Sequence, residues 1–243
     1  MMLSHGVHVL GKREELDSVR LQGKVAIVLD ILFATSTMVA ALANGATGVI
    51  PVIDGAAASA EAARHAPGSF VLAGELDAIT LPGFAAPMPL ALIAQGVGGR
   101  KLILSTTNGT GALHDCAAAD HVYAGSLLNG RALIEYVLAA HPGQALLIVC
   151  AGSANNFNLE DFYGAGYLVE LLAERLGGQT DFSDSARAAR SVYRHGAPAV
   201  TLLEARVGRM MIARAATEEV RFAAQLSVYD VVPRFLDGRL AAA

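Results

Sequence analysis

KVAIVLDILFATSTMVAALANGATGVIPVID, residues 24–54, decides the fold. Residues 24–30 form an apolar run rich in β-branched side chains that ends in Asp30. Residues 36–46 carry helical spacing with a glycine stop, and residues 48–54 form a second apolar run. Short apolar runs of this kind read as strands buried on both faces, and a helix between two of them makes a β-α-β unit. The same alternation continues outward. An Ala-rich helix is predicted over 56–66 and a strand over 69–75 that again ends in an acid, Glu75. A Pro/Gly-marked loop covers 79–90. Strand 101–106, helix 109–119, strand 121–125, helix 129–141, strand 145–152 and the amphipathic helix 159–177 follow. From Gln179 the pattern is mainly helical, with a last strand expected at 227–233, closed by Pro233. The expected fold is α/β: three layers, with a largely parallel sheet covered by helices on both faces. No repeat, low-complexity linker or charge block divides the chain, so residues 1–243 are read as one domain.

Composition excludes several classes. The chain is 53% hydrophobic and 16% charged, which fits a folded protein and not a disordered one. Lys and Arg total 18 against 22 acids, with no long basic run, so a nucleic-acid partner is not expected. No apolar run approaches the roughly 18 residues that span a bilayer. The opening MMLSHGVHVL lacks a signal-peptide pattern, and a cytoplasmic location is expected. Cys116 and Cys150 form neither a zinc nor a redox motif and are expected in the core, and His114 is expected to serve structure.

In parallel sheets of this kind, ligands bind beyond the carboxyl ends of the strands. Asp30, Glu75, the Thr106–Thr110 segment and Ala151–Gly152 all fall at such ends. Asp30 follows a wholly apolar strand, where a carboxylate is costly unless paired, solvated or metal-bound. Glu160 and Asp161 open the predicted helix 159–177; they either complement its dipole or belong to the site. Oxygen ligands of this kind suit Mg²⁺, which takes one or two carboxylates and keeps water or substrate oxygens. Thr35, Ser36 and Thr37 at one strand-to-helix junction, and Thr106, Thr107, Asn108, Gly109 and Thr110 at another, are read in two ways. Their hydroxyls cap helices, or they join free backbone N–H groups in holding a phosphate. A P-loop, a dinucleotide fingerprint, a nucleophile elbow and a His-Glu-x-x-His helix are all absent from the sequence.

Several blocks, in this order, resemble the 2-phosphosulfolactate phosphatase family: VAIVLDILFATSTMVAALANGATGVIPV, AGE at 73–75, TTNGT at 106–110, AGSLLNGRA at 124–132, IVCAGSANNFNLEDFYGAG and VYDVVP. The resemblance covers nearly the whole chain. It implies an α/β phosphatase dependent on Mg²⁺ that acts on small phosphorylated 2-hydroxy acids, notably 2-phosphosulfolactate, whose product 3-sulfolactate leads to coenzyme M. It also implies a homo-oligomer, for which the apolar segment 207–213 is a candidate interface and a buried helix its alternative. Under this reading Asp30 and Glu75 help to hold Mg²⁺, and Glu160 or Asp161 serves as ligand or base. Thr106–Thr110, with Thr35, Ser36 and Gly152, binds the phosphate. Phe33, Leu76 and Gly111 stand where the family pattern has arginine, and Pro87–Met88 where it has Asn-Ser. A polyanionic substrate needs cations, each charge-assisted hydrogen bond contributing about 1.5–3 kcal/mol. Arg131 is the expected replacement. The alternative from a different class is a family-derived anion-binding protein that has lost hydrolysis.

Overall fold

The computed structural model describes residues 6–177 and 180–243. Residues 1–5, on which part of the leader reading rests, and Gln179, from which the helical third was counted, lie outside the described residues. The first half alternates as the sequence predicts. β1 (Gly6–Leu10) and β2 (Lys24–Leu29) precede α1 (Ala34–Ala43), β3 (Gly48–Val52), α2 (Gly55–Ala62), β4 (Phe70–Leu76) and β5 (Ile79–Thr80). Next come α3 (Pro89–Gln95), β6 (Lys101–Ser105), α4 (Gly109–Asp115), β7 (His121–Gly125), α5 (Gly130–Ala140), β8 (Ala145–Cys150) and α6 (Leu159–Leu176). The remainder is β9 (Asp181–Phe182), α7 (Asp184–His195), α8 (Pro198–Glu204), α9 (Arg206–Ala213), α10 (Thr217–Ala223), β10 (Pro233–Leu236) and β11 (Arg239–Ala242).

The strands form one sheet in the order β5-β4-β6-β3-β11-β10-β7-β2-β8-β1-β9. β2 is central to a parallel block, with Ile27 opposite Tyr123 of β7 and Ile148 of β8. β4, β6 and β3 make a second parallel block. Between the blocks lies an antiparallel hairpin, with Arg234 opposite Tyr123 and Leu240 opposite Val49. This corrects the expected last strand: residues 227–232 are not strand, and the pairing segments are 233–236 and 239–242. The cause is local. Asp237 and Gly238 both adopt left-handed backbone (φ 50° and 76°), the two-residue turn that an Asp-Gly pair favours, and Phe235 and Leu240 then face the core. β1, the edge strands β5 and β9, and α3, which starts inside the segment read as a loop, were also not expected.

Strand pleating sorts the core. Ala26 and Val28 of β2, Val71 and Ala73 of β4, and Leu102 and Leu104 of β6 share one cluster with residues of α1, α3 and α4. Val25, Ile27 and Leu29 point the other way and pack with residues of α5, α6 and α7, while Ile50 and Ile103 meet Ala58 of α2. Each large aliphatic side chain so buried contributes about 1.5–3 kcal/mol. β4 and β2 feed one cluster although five strands lie between them in the order, so the sheet curves around α1 and α4. That curvature brings the ends of β4, β6, β2 and β8 together. Cys116 and Cys150 are free and buried, as expected, and burial pushes the Cys116 thiol up to about 12. His114 Nε2 donates a hydrogen bond to the Pro51 carbonyl (3.0 Å) and the ring meets Phe235 edge-on, a structural role.

Candidate active site

Asp30 follows β2 on the concave side, 8% exposed. Neither α1 nor α4 has a side-chain cap from its own N-cap residue, Phe33 or Asn108. Backbone hydrogen bonds from Ala34 and Gly109, the first residues of those helices, reach the Asp30 carboxylate instead. One carboxylate therefore terminates two helices, satisfying donors and dipoles together. A Cβ at position 109 would collide with the Asp30 carboxylate and with Ala34 Cβ, so only glycine permits this approach. Burial, then the nearby Glu75 and Glu160 charges, push Asp30 up to about 7 against those two hydrogen bonds.

The hydroxyls of the first junction do not reach the cavity, and this corrects the expected phosphate contacts of Thr35 and Ser36. Both are fully buried. Thr35 Oγ1 accepts from Asp30 N (2.9 Å) and donates to Asp30 O (3.0 Å), and Ser36 Oγ donates to Ile31 O (2.6 Å). Their hydrogen-bonding capacity goes into holding the turn that aims Asp30.

The second junction is divided. Thr106 and Thr110 are buried and bond one another, Thr110 N donating to Thr106 Oγ1 (3.2 Å) and Thr110 Oγ1 to Thr106 O (2.9 Å). Thr107 and Asn108 line the cavity. Thr107 donates through N to Glu75 Oε1 (2.6 Å) and through Oγ1 to Glu75 Oε2 (3.1 Å), and Ala78 N donates to Glu75 Oε2 (2.5 Å). Glu75 lies at the cavity with both oxygens already engaged, pinning the β4–β5 turn to the β6–α4 loop.

α6 brings two acids whose surroundings differ. Asp161 Oδ1 accepts from Ile31 N (2.9 Å) and Oδ2 from Gly152 N (3.1 Å), which ties the chain after β2 to the chain after β8. Burial, with Asp30 and Glu160 nearby, holds Asp161 well above the usual carboxylate range. It does not line the cavity, and its two oxygens are committed to backbone; its expected metal and catalytic roles give way to a positioning one. Glu160 does line the cavity, is 1% exposed, and its Oε2 has no hydrogen-bond partner. Burial pushes it up to about 7, opposed by its own backbone N–H and by Arg206.

Arg131 is exposed and absent from the cavity wall; its backbone N donates to Ser227 Oγ (2.9 Å). The cation at the cavity is Arg206, which sequence reasoning missed. Its guanidinium donates to Ser153 Oγ and to Asn158 Oδ1 (2.8 Å). It opens α9, whose Val207 and Met210 complete the wall, so the segment 207–213 faces this cavity and the core. Of the three positions where the family pattern has arginine, Phe33 lines the cavity, Leu76 is 58% exposed, and the space beside Gly111 is taken by the Arg13 guanidinium.

The cavity measures about 180 Å³. Two tight turns flank it, and in both a pair of non-glycine residues is left-handed: Asp77–Ala78 (φ 52° and 58°) and Ala154–Asn155 (φ 49° and 60°). Such strain costs about 1–2 kcal/mol per residue and clusters at functional sites. For a divalent cation, Asp30 and the unpartnered Glu160 Oε2 present buried carboxylates to one space, and a dication would relieve their mutual repulsion. Among the described residues no group of three or more His, Cys, Asp or Glu is placed to hold a metal ion. The carboxylates facing the space would fit an ion such as Mg²⁺ that takes one or two carboxylates and otherwise water and substrate oxygens.

The model of the 2-phosphosulpholactate phosphatase family matches residues 12–238. A probable 2-phosphosulfolactate phosphatase of Symbiobacterium thermophilum is 34% identical over 223 residues, 90% of this chain and 94% of that protein. Proteins with the same name from Carboxydothermus hydrogenoformans and Deinococcus radiodurans are each 34% identical. The first is covered over 90% of both chains and the second over 88% of both. No helix among the described residues is long and apolar enough to cross a membrane.

Proposed function

The chain belongs to the 2-phosphosulfolactate phosphatase family, a family of phosphoric monoester hydrolases, and from that premise we propose that it hydrolyses the phosphate ester of a small 2-hydroxy acid in the Asp30–Glu160 cavity. The observation that carries this reading is the Glu160 carboxylate, buried at the cavity wall with one oxygen unspent. Water attacks phosphorus, the ester P–O bond breaks, the leaving oxygen takes up a proton from solvent, and the products are inorganic phosphate and the free hydroxy acid. Glu160 Oε2 takes the proton of the attacking water, a task suited to a carboxylate raised to about 7. Asn108 and the Arg206 guanidinium orient the phosphoryl oxygens and stabilise their charge, with Thr107 held beside them by Glu75. Asp30, held by two helix starts, is the carboxylate that would hold Mg²⁺, with water and substrate oxygens as the other ligands. When bound, Mg²⁺ supplies Lewis-acid polarisation of a phosphoryl oxygen. The neighbouring Asp161 and Thr35 keep these groups in place without lining the cavity, and Glu75 holds the Thr107 turn at its wall.

Phosphate release from 2-phosphosulfolactate and 2-phospholactate, with Mg²⁺ and with excess chelator, tests the proposal. Release only with Mg²⁺, lost in Asp30→Asn, is the expected result. Equal release in chelator contradicts the metal role, and tight anion binding without any release favours a binding protein. A homo-oligomer in light scattering is expected as part of the same reading, and monomer across micromolar concentrations contradicts it.

A further inference from the structure

Beside the acid cavity lies a second cavity, also about 180 Å³, and the two share Phe33, Glu75, Ala78 and Met210 as a common wall. The second is completed by Pro87, Met88 and Met211, with Thr80 and Arg214 as its other polar members. Phe33 and Met88 are the N-cap residues just before α1 and α3, and both pack against the core on one side. Met210 and Met211 come from α9. Three elements thus turn apolar side chains toward a space continuous with the acids.

Of the three polar side chains of this second space, two already hold hydrogen bonds. Glu75 accepts hydrogen bonds from Thr107 and Ala78 on both oxygens, and the Arg214 guanidinium donates to the Ala78 carbonyl. A sulfonate entering here would exchange its water mostly for phenyl and thioether surface, beside the Glu75 carboxylate, with Arg214 as the one cation. A hydrocarbon group would gain by the same burial, and methionine side chains adapt to branched or flat shapes. The volume is of the order of the roughly 150 Å³ apolar cavity that takes a benzene ring.

We propose that the second cavity is the subsite for the substrate's carbon arm. It takes a branched-alkyl or aryl group of a 2-phosphorylated 2-hydroxy acid whose phosphate lies between Asp30, Thr107 and Glu160. Phe33, Met88 and Met210 determine specificity. This rests on the phosphatase reading and adds the class of arm.

The test compares the 2-phosphate esters of lactate, 3-sulfolactate, 2-hydroxy-4-methylpentanoate and 3-phenyllactate by kcat/KM. The isobutyl and phenyl arms are expected to exceed the sulfonate arm at least tenfold. Met88→Arg should shrink that margin at least tenfold, and Met88→Leu should keep it. A sulfonate ester hydrolysed as well as or better than the apolar ones overturns the proposal, as does an unchanged margin in a folded Met88→Arg. If Met88→Arg does not fold, the wild-type ranking decides. Absence of turnover with every ester would break the phosphatase reading instead. Calorimetric Kd values for the same four esters then decide the subsite: at least tenfold tighter binding of the phenyl ester than of the sulfonate ester sustains it, and equal or weaker binding overturns it.

Discussion

Glu160 and Glu170 lie on one helix, α6, and are opposite cases of a carboxylate inside a protein. Glu170 receives Arg190 Nε and Arg194 Nε, each at 2.7 Å, and these hydrogen bonds hold it down at about 2. Glu160 is more deeply buried, has one oxygen unpartnered, and is pushed up to about 7 by that burial. The first has its hydrogen-bonding capacity spent on the fold. The second keeps capacity in reserve, beside a cavity, at a cost to stability. Residue type and helix are the same, Glu160 in the first turn and Glu170 in the interior; what separates structure from chemistry is whether the polar atoms are already satisfied.

That contrast fails if satisfied groups prove dispensable for stability. The largest loss is expected for Asp161→Ala, which removes the acceptor of two buried backbone N–H groups, from Ile31 and Gly152. Leaving buried donors unpaired costs about 1–3 kcal/mol each, so a fall of about 3 kcal/mol in unfolding free energy is expected from denaturant titration. A variant as stable as the wild type would show that the clamp is not one.

Thr35→Val comes next, with an expected loss of about 2 kcal/mol, because Asp30 N loses its partner while volume is kept. Its effect on KM should be small, since Thr35 does not line the cavity. A large rise in KM with stability unchanged would restore Thr35 as a substrate contact.

Glu170→Gln should cost about 1 kcal/mol at neutral pH, a figure discounted from the full shift because Arg194 is half exposed. The folded-state value lies below the ordinary 4.5, so this contribution is present above about pH 4.5 and fades as pH falls toward 2. Wild type and variant should therefore converge in acid. Glu160 has the reverse sign. In chelator its burial costs nothing below pH 4.5, and the penalty grows as pH rises through about 7. A Glu170→Gln stability deficit that is constant from pH 7 to pH 2 would contradict the ion-pair assignment. The smallest effect is expected for Arg131→Ala, within about 0.5 kcal/mol of wild type and with kcat/KM unchanged on any active ester. A tenfold fall in kcat/KM would place Arg131 back at the substrate.

The parallel blocks were legible because β-branched apolar runs separated by helical spacing admit few other readings, as in residues 24–54. The terminal hairpin was equally legible in its Asp237–Gly238 turn, but the apolar run 227–233 drew the strand assignment a few residues too early. For the site, the strand ends at Asp30, Glu75 and the 106–110 loop do meet at one cavity, because the carboxyl edge of a parallel sheet is where chains open. Which hydroxyls face inward was not legible. Thr35 and Thr107 look alike in sequence and differ only in where the helix turn directs them. Arg206 and Met210 were hidden for another reason: α9 reaches the cavity through tertiary packing, and nothing local to residues 206–210 signals it.

The central claim is that Glu160 keeps its unpaired oxygen for chemistry, and Glu160→Gln tests it most directly, by steady-state phosphate release alongside thermal unfolding at pH 8 in chelator. A fall in kcat of at least a hundredfold, equivalent to about 2.7 kcal/mol, with a melting temperature equal to or above wild type, is the predicted result. Turnover within threefold of wild type, or a melting temperature well below it, would contradict the account.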